Sequence, residues 1–302
     1  TINAIALELR ITNYLSATSS RPSGELRIVD PFNGQTDLKK KIIRTVGNPS
    51  ERFKEDYSRM IRALRFSIQL GFSIEKKTRD EIKRNIIKIN IKKEEEYLVP
   101  REILAREINK MITINPVESI KLLDTFGVIS ILMPELLKMK KCPQPKQFHA
   151  EGDVWKHTLL ALEKLNSKKF YKEFFMTPSF SPPHEGGVWG GRSFKISQEV
   201  VWALLFHDVG KPYTIKYAER IRFDGHDMQS VKIFRAVSER LKLASSGLDV
   251  EKSEKLISKH MFLTNANLHA VKETTLEKYF FNDQFPGKKL MMLMFADISA
   301  TI

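Results

Sequence analysis

Apolar and polar positions alternate along Glu25-Leu26-Arg27-Ile28-Val29-Asp30, the period of a half-buried strand, and the run stops at a turn formed by Pro31 to Gly34. Residues 1 to about 10 read as another short element, so a remnant of a sheet is expected before residue 36. From Asp37 the spacing becomes helical, with Asp37 as the predicted N-cap, a further start after Pro49-Ser50 and a stop at Gly71. At about 100° per residue, Tyr57, Met60, Ile61, Leu64 and Ile68 share one arc roughly 100° wide, and Arg59, Arg62 and Arg65 lie on the other side. Compact helices are predicted around Pro100 to Lys110, Pro116 to Phe126 and Val128 to Leu137, separated by Pro and Gly breakers, and an apolar helix over Val200 to Phe206. Residues 177–193 break every period and are rich in Pro, Gly and Ser, which predicts an inserted surface loop with His184 solvated in it. Strand signals are nearly absent after residue 35, so the predicted class is mainly α.

Charge adds a partner to that picture. Fifty Lys and Arg against 36 Asp and Glu give a formal charge of +14 over 302 residues, and the pI is near 9.6. Such a field attracts polyanions in a salt-dependent way. The excess gathers in Lys39-Lys40-Lys41, Arg59 to Arg65, Lys138 to Lys141 and Lys164 to Lys172, a track long enough for a large nucleic acid. The apolar content, 42%, suits one large or two medium globular units. Cys142 is the single cysteine, so an intramolecular disulfide is excluded, and it has no neighbouring base to activate it. No apolar run is long enough to cross a bilayer and nothing reads as a signal peptide, so no membrane partner and a reducing cytoplasm are the default expectations.

The arginine helix carries the first candidate chemistry. An aspartate accepts and an arginine three residues along donates at the edge of a base, and the further guanidiniums suit phosphate oxygens as planar forks. Asp56 and Arg59, with Arg62 and Arg65, supply that set. The alternative is an amphipathic helix with a solvated basic face and an i,i+3 ion pair.

The surrounding series weighs on that choice. Thr1 to Ala6, then Asp30-Pro31-Phe32-Asn33-Gly34-Gln35-Thr36-Asp37-Leu38, Ile43-Arg44-Thr45-Val46, Glu55-Asp56-Tyr57-Ser58-Arg59 and Pro100-Arg101-Glu102-Ile103 follow in order. In sequence and spacing they resemble the class II tRNA nucleotidyltransferase and poly(A) polymerase family over roughly the first half of the chain. The resemblance implies that Asp56 and Arg59 hydrogen-bond the base of an incoming ATP or CTP in place of a template, and that the partner is the 3′ end of tRNA or another RNA. Its nucleotidyl transfer runs on Mg2+ held by an Asp-x-Asp pair on the sheet of a head domain. No Asp-x-Asp occurs here, and the chain opens at Thr1 inside what resembles a motif. The expectation is a piece of a longer chain that keeps the base-reading helix and does not itself add nucleotides.

A second constellation starts at Glu151-Gly152-Asp153-Val154-Trp155-Lys156-His157. His157, the pair His207-Asp208, His226, His260 and Asp297 form a metal-ligand inventory, since imidazoles suit transition metals and a carboxylate can bridge two ions. Taken singly, each has a bland alternative in a satisfied backbone contact. Together, Leu204-Leu205-Phe206-His207-Asp208-Val209-Gly210-Lys211-Pro212 and the outlying residues resemble the HD superfamily of metal-dependent phosphohydrolases. That resemblance implies an all-helical domain, a divalent transition metal, catalysis at His207 and Asp208, and a substrate phosphate on Lys211.

The expected organisation is a nucleotidyltransferase head remnant over 1–36, a helical neck and body over 37–145 that binds nucleotide and RNA, and an HD domain over 146–302. The leading reading is part of a CCA-adding or poly(A) polymerase enzyme fused to an HD phosphohydrolase. A free-standing HD phosphohydrolase acting on RNA ends or nucleotides, and an inert RNA-binding remnant, are the alternatives.

Overall fold

The computed structural model describes residues 6–11, 24–145, 147, 149–175, 196–262, 272–280 and 285–301. The insertion predicted over 177–193, with His184, lies outside the described residues. The chain divides by its contacts into residues 1–88 and 89–302, and the described part is mainly helical.

In the first unit, β1 (Ala6–Ile11) pairs antiparallel with β2 (Gly24–Val29), Ala6 facing Val29 and Ile11 facing Gly24. Next come α1 (Gly34–Lys40), β3 (Ile42–Ile43), α2 (Pro49–Glu55), α3 (Ser58–Leu70), β4 (Ser73–Ile74) and α4 (Lys76–Asn85). β3 and β4 form a short parallel pair.

Asp37 is not the N-cap of α1. The helix begins three residues earlier, behind Asn33 in a left-handed conformation. The carboxylate of Asp30 satisfies the opening amides instead, accepting from Gly34 N at 2.6 Å and Gln35 N at 2.9 Å. Asp37 is buried in the first turn, where it accepts from Arg44 Nε at 2.7 Å.

α3 forms as its period predicts. Met60, Ile61, Ala63 and Leu64 are buried, Ile68 is half-buried, and Arg62 is exposed. Gly71 ends the helix at φ 65°, a conformation that costs other residues more.

The second unit opens with the hairpin β5 (Lys92–Lys93) and β6 (Glu96–Tyr97), followed by α5 (Arg101–Ile114), α6 (Pro116–Thr125), α7 (Val128–Leu132) and a 3-10 turn at Pro134–Met139. α8 (Val154–Leu165), α9 (Lys168–Phe175), α10 (Gln198–Phe206) and α11 (Lys211–Thr214) lead into a hairpin of β7 (Lys216–Tyr217) and β8 (Ile221–Arg222). α12 (His226–Leu241), α13 (Val250–Lys259), α14 (Glu273–Phe280) and α15 (Gly287–Ile298) complete it.

Every residue of α10 from Glu199 to Phe206 is buried. A helix apolar on all sides belongs at the centre of a core, and α5, α8, α12, α13 and α15 pack around it. Its one polar ring atom at depth, Trp202 Nε1, donates to Asn109 Oδ1 on α5 at 3.0 Å. The C-terminal end of this central helix carries His207 and Asp208 into the interior.

Candidate metal centre and basic cleft

Four imidazoles and two carboxylates meet beyond the end of α10. Asp153 caps α8, its Oδ1 accepting from Lys156 N at 2.9 Å, and places His157 one turn in. His207 is the C-cap of α10 and His260 the C-cap of α13, while His226 is the first residue of α12 behind Gly225 at φ 74°. Asp297 comes from α15. Gly210 makes the approach of α12 feasible, since a Cβ there would stand 2.2 Å from the His226 carbonyl oxygen and 2.8 Å from Ser230 N. All six side chains are buried.

The outer nitrogen of each ring is already committed. Nδ1 of His207, His226 and His260 donates to the carbonyl three residues back, on Leu204, Phe223 and Ile257, at 2.7, 2.8 and 2.7 Å. His157 lies inside a helix, where the equivalent carbonyl of Val154 accepts from Thr158 Oγ1, so its Nδ1 turns to Glu151 Oε1 at 2.6 Å. All four Nε2 atoms therefore face inward.

Two groups result, His157 with His207 and Asp297, and Asp208 with His226 and His260, the ligand atoms within each lying no more than 4.8 Å apart. Asp208 joins them. Its Oδ2 is 3.3 Å from His207 Nε2, and its Oδ1 is 3.3 Å from His226 Nε2 and 3.7 Å from His260 Nε2. Asp297 Oδ1 is 2.7 Å from His157 Nε2 and 3.3 Å from His207 Nε2.

The interior is unsatisfied by protein alone. His207 Nε2 and Asp208 Oδ1 are buried without a hydrogen bond, a costly state for polar atoms. His226 and His260 face each other Nε2 to Nε2 at 3.2 Å with both Nδ1 atoms donating outward, so two lone pairs oppose unless a proton or cation lies between them. A nitrogen-rich set with a bridging carboxylate and oriented outer nitrogens suits divalent transition-metal ions.

The charges respond to this crowding. Burial pushes the His207 imidazole down, but the Asp208 and Asp297 carboxylates outweigh it and hold its pKa up at about 10. Burial works against the ionised Asp208 and Asp297 too, but the His207 charge, joined by Lys211 at Asp208 and by the His157 hydrogen bond at Asp297, outweighs it and keeps both well below the usual carboxylate range. His260 is lowered, chiefly by burial.

Lys211 is buried, its Nζ 2.6 Å from Asp208 Oδ2 and 2.8 Å from Gln144 Oε1, so in this state it is the counter-charge of Asp208. The centre floors a cleft of about 1040 Å3 that Lys211 also lines, with His149, Arg220 and Arg222 among the other residues at its walls.

Sequence reasoning missed His149 and Glu151. Glu151 Oε1 accepts from His149 Nδ1 at 2.7 Å as well as from His157. The available signal was that His157 alone of the four imidazoles stands within a helix interior and must find a side-chain acceptor for Nδ1. Glu151→Gln should lower metal affinity about 10- to 100-fold, measured by calorimetric titration of the metal-free chain. An unaltered affinity would remove Glu151 from the support of the centre.

The arginine helix builds a separate, smaller cleft of about 350 Å3 within the first unit. Arg59 and Arg62 line it together with Arg44, Arg52, Phe53 and Phe66, whereas Asp56 and Arg65 are not among its lining residues. The i,i+3 ion pair considered for Asp56 and Arg59 does not form. Asp56 Oδ1 instead accepts from Ser58 N at 2.8 Å at the start of α3. Arg59 pairs with Glu55 at 2.5 Å and also donates to the Arg52 carbonyl. Arg65 lies 3.8 Å over the Phe66 ring. Arg44 and Arg52 were missed because Arg44 follows β3 and Arg52 lies on α2, outside the periodicity that singled out α3.

Residues 190–285 match the family model described as HD domain. The chain is 29% identical over 232 residues to the Multifunctional CCA protein of Alcanivorax borkumensis, covering 76% of this chain and 48% of that one. It is 29% identical over 216 residues to that of Neisseria gonorrhoeae, covering 72% and 44%. The chain thus spans about half the length of the curated relatives it matches. A solved tRNA nucleotidyltransferase complexed with a primer tRNA and an incoming ATP analog shares the fold, with a TM-score of 0.50 and 17% identity over 89% of this chain and 61% of that one. Among the described residues no helix is long and apolar enough to cross a membrane. The chain thus carries an HD segment, is similar in sequence to Multifunctional CCA proteins, and shares the fold of a tRNA nucleotidyltransferase.

Proposed function

We propose that this chain supplies nucleotide and RNA binding to a tRNA 3′-end nucleotidyltransferase, and that its HD centre is a metal-dependent phosphohydrolase. The named relatives are Multifunctional CCA proteins, which supports the first part. The observation that carries the second is the convergence of His157, His207, Asp208, His226, His260 and Asp297 with inward-facing atoms left unsatisfied.

In this reading the organisation is a head remnant over 1–36, a neck and body over 37–145 and an HD domain over 146–302, working in the cytoplasm. Arg59 and Arg62, with Arg44 and Arg52 beside them in the small cleft, hold ATP or CTP against the 3′ end of tRNA. Asp56 joins them at the base edge and Arg65 at phosphate once nucleotide is bound. Mg2+ would serve the transfer step of the intact enzyme, which requires carboxylates that α3 does not carry.

A divalent ion held at the HD centre would supply a water of lowered pKa and positive charge for phosphoryl oxygens. The residues do the rest. His157, His207 and Asp297 would hold one ion and His226 and His260 another, with Asp208 between the two groups. Lys211, close to Asp208, supplies a positive charge for the substrate phosphate.

Phosphate release from a 3′-phosphorylated nucleotide, or ring opening of a 2′,3′-cyclic one to the monophosphate, followed with Mg2+, Mn2+, Co2+, Ni2+ and Zn2+ in turn, tests the hydrolase. Release that needs metal and disappears in His207→Ala is expected. No turnover with any of the five would overturn it.

A further inference from the structure

The β7–β8 hairpin stands over the metal centre with a surface that the hydrolytic reading does not use. Arg220 and Arg222 are exposed, line the large cleft, and pair with no described residue. Lys216, on the same hairpin, is occupied with Asp224 at 3.3 Å. The acidic groups near them are Glu219 in the turn, Asp224, so neutralised, and Asp227 in the first turn of α12, where the helix N-terminus favours it. Two free guanidiniums thus face the cleft above a floor that would carry divalent cations.

Tyr217 adds a second kind of contact. It is 74% exposed, unusual for a tyrosine in an ordered strand. The hairpin register sets it directly opposite Ile221, which lines the cleft, so Tyr217, not itself a lining residue, stands beside the cleft wall, while Arg222 stands opposite Lys216. An exposed aromatic next to free arginines is the composition of a surface that stacks one base and holds the phosphates on either side.

The cleft volume, about 1040 Å3, lies at the top of the range of about 300–1,000 Å3 usual for small-molecule pockets, leaving room for more than one nucleotide. A duplex offers Tyr217 no free base face, because its bases are stacked inward.

We infer that the β7–β8 hairpin is a clamp for a single-stranded polynucleotide end, with Tyr217 stacking a base near the terminus while Arg220 and Arg222 hold its phosphates and direct the terminal phosphate to the metal centre. The inference rests on reading the floor as a phosphate-handling site.

The test is photo-crosslinking of the full chain with a trinucleotide that carries 4-thiouridine beside a 3′-phosphate, in ribo and deoxy versions, with Mn2+ and with EDTA. Labelling by either version at the tryptic peptide 217–220 supports the clamp, and the ratio of the two distinguishes RNA from DNA. Arg220→Glu with Arg222→Glu, read at the tryptic peptide 217–232 that the loss of both cleavage sites creates, should reduce the labelling at least tenfold. Tyr217→Ala should lose it and Tyr217→Phe keep it, since stacking needs the ring and not the hydroxyl. Labelling confined to other peptides, labelling indifferent to these changes, or equal labelling by a blunt duplex would overturn the clamp. Labelling in EDTA without phosphate release in any metal would uphold the clamp and reject the hydrolase.

Discussion

Asp208→Ala is expected to destabilise the metal-free chain by about 3–5 kcal/mol, the usual cost of removing one partner from a buried ion pair. Lys211 Nζ, 2.6 Å from Asp208 Oδ2, would keep its charge with only Gln144 beside it, and His207 would lose a carboxylate at 3.3 Å. The same substitution removes the atom pair that spans both ligand groups, so metal binding and metal-dependent phosphate release should fall to background. Pairing it with Lys211→Met separates the two effects, because removing both charges at once leaves nothing uncompensated. The double variant should recover most of the denaturant midpoint and none of the metal binding. A single variant as stable as the parent chain would show that Asp208 and Lys211 are not paired, and metal titration at parental affinity would show that Asp208 is not a ligand.

The affinity of the centre for metal should rise about tenfold per pH unit from neutrality toward pH 10, because one proton must leave His207 before its Nε2 can donate. That proton is held by two carboxylates. Burial alone would expel it, yet Asp208 and Asp297 raise the imidazole to about 10. His260, lowered chiefly by burial, has no proton to release above neutrality. The stability of the metal-free chain runs the other way. A histidine raised in the folded state contributes stability that is complete below its unfolded value of 6.5 and is lost as pH rises through about 10. Asp208 and Asp297, held low, contribute above the ordinary carboxylate value and lose that contribution only in acid. Between pH 6.5 and 8.0, Mn2+ affinity measured against a chromophoric chelator should therefore climb about thirtyfold while the metal-free melting temperature declines. A flat affinity profile would mean that His207 is neutral before metal arrives.

What could be read from the sequence followed physical range. The buried face of α3 was legible because Met60, Ile61 and Leu64 recur at the helical period, and Gly71 because a helix end needs a left-handed residue. The ligand inventory was legible as residue types. Its convergence was not, since His157 and Asp297 lie 140 residues apart and meet only through the packing of α8 and α15 on α10. The Asp37 cap failed because Asp30 reached forward from the turn to do the same work, a choice between two nearby carboxylates that spacing does not settle. Glu151, Arg44 and Arg52 escaped because each acts across element boundaries. The pairing of Asp56 with Arg59 failed for a local reason, Glu55 being one turn below Arg59 and better placed to meet it.

The two halves of the metal centre differ in how much of the chain must be folded before they exist. Asp208, His226 and His260 come from 208–260, inside the segment that matches the HD model, and each of these two rings is steered by its own local backbone. His157 and Asp297 lie outside that segment, and His157 is steered by Glu151 on the loop before α8. One proposed ion position would therefore be a property of a short contiguous stretch, and the other would report that the whole helical unit has closed. Metal occupancy at the second position would make a binding equilibrium out of the docking of α8 and α15, so that whatever loosens those helices would be felt as lost affinity at a site they enclose.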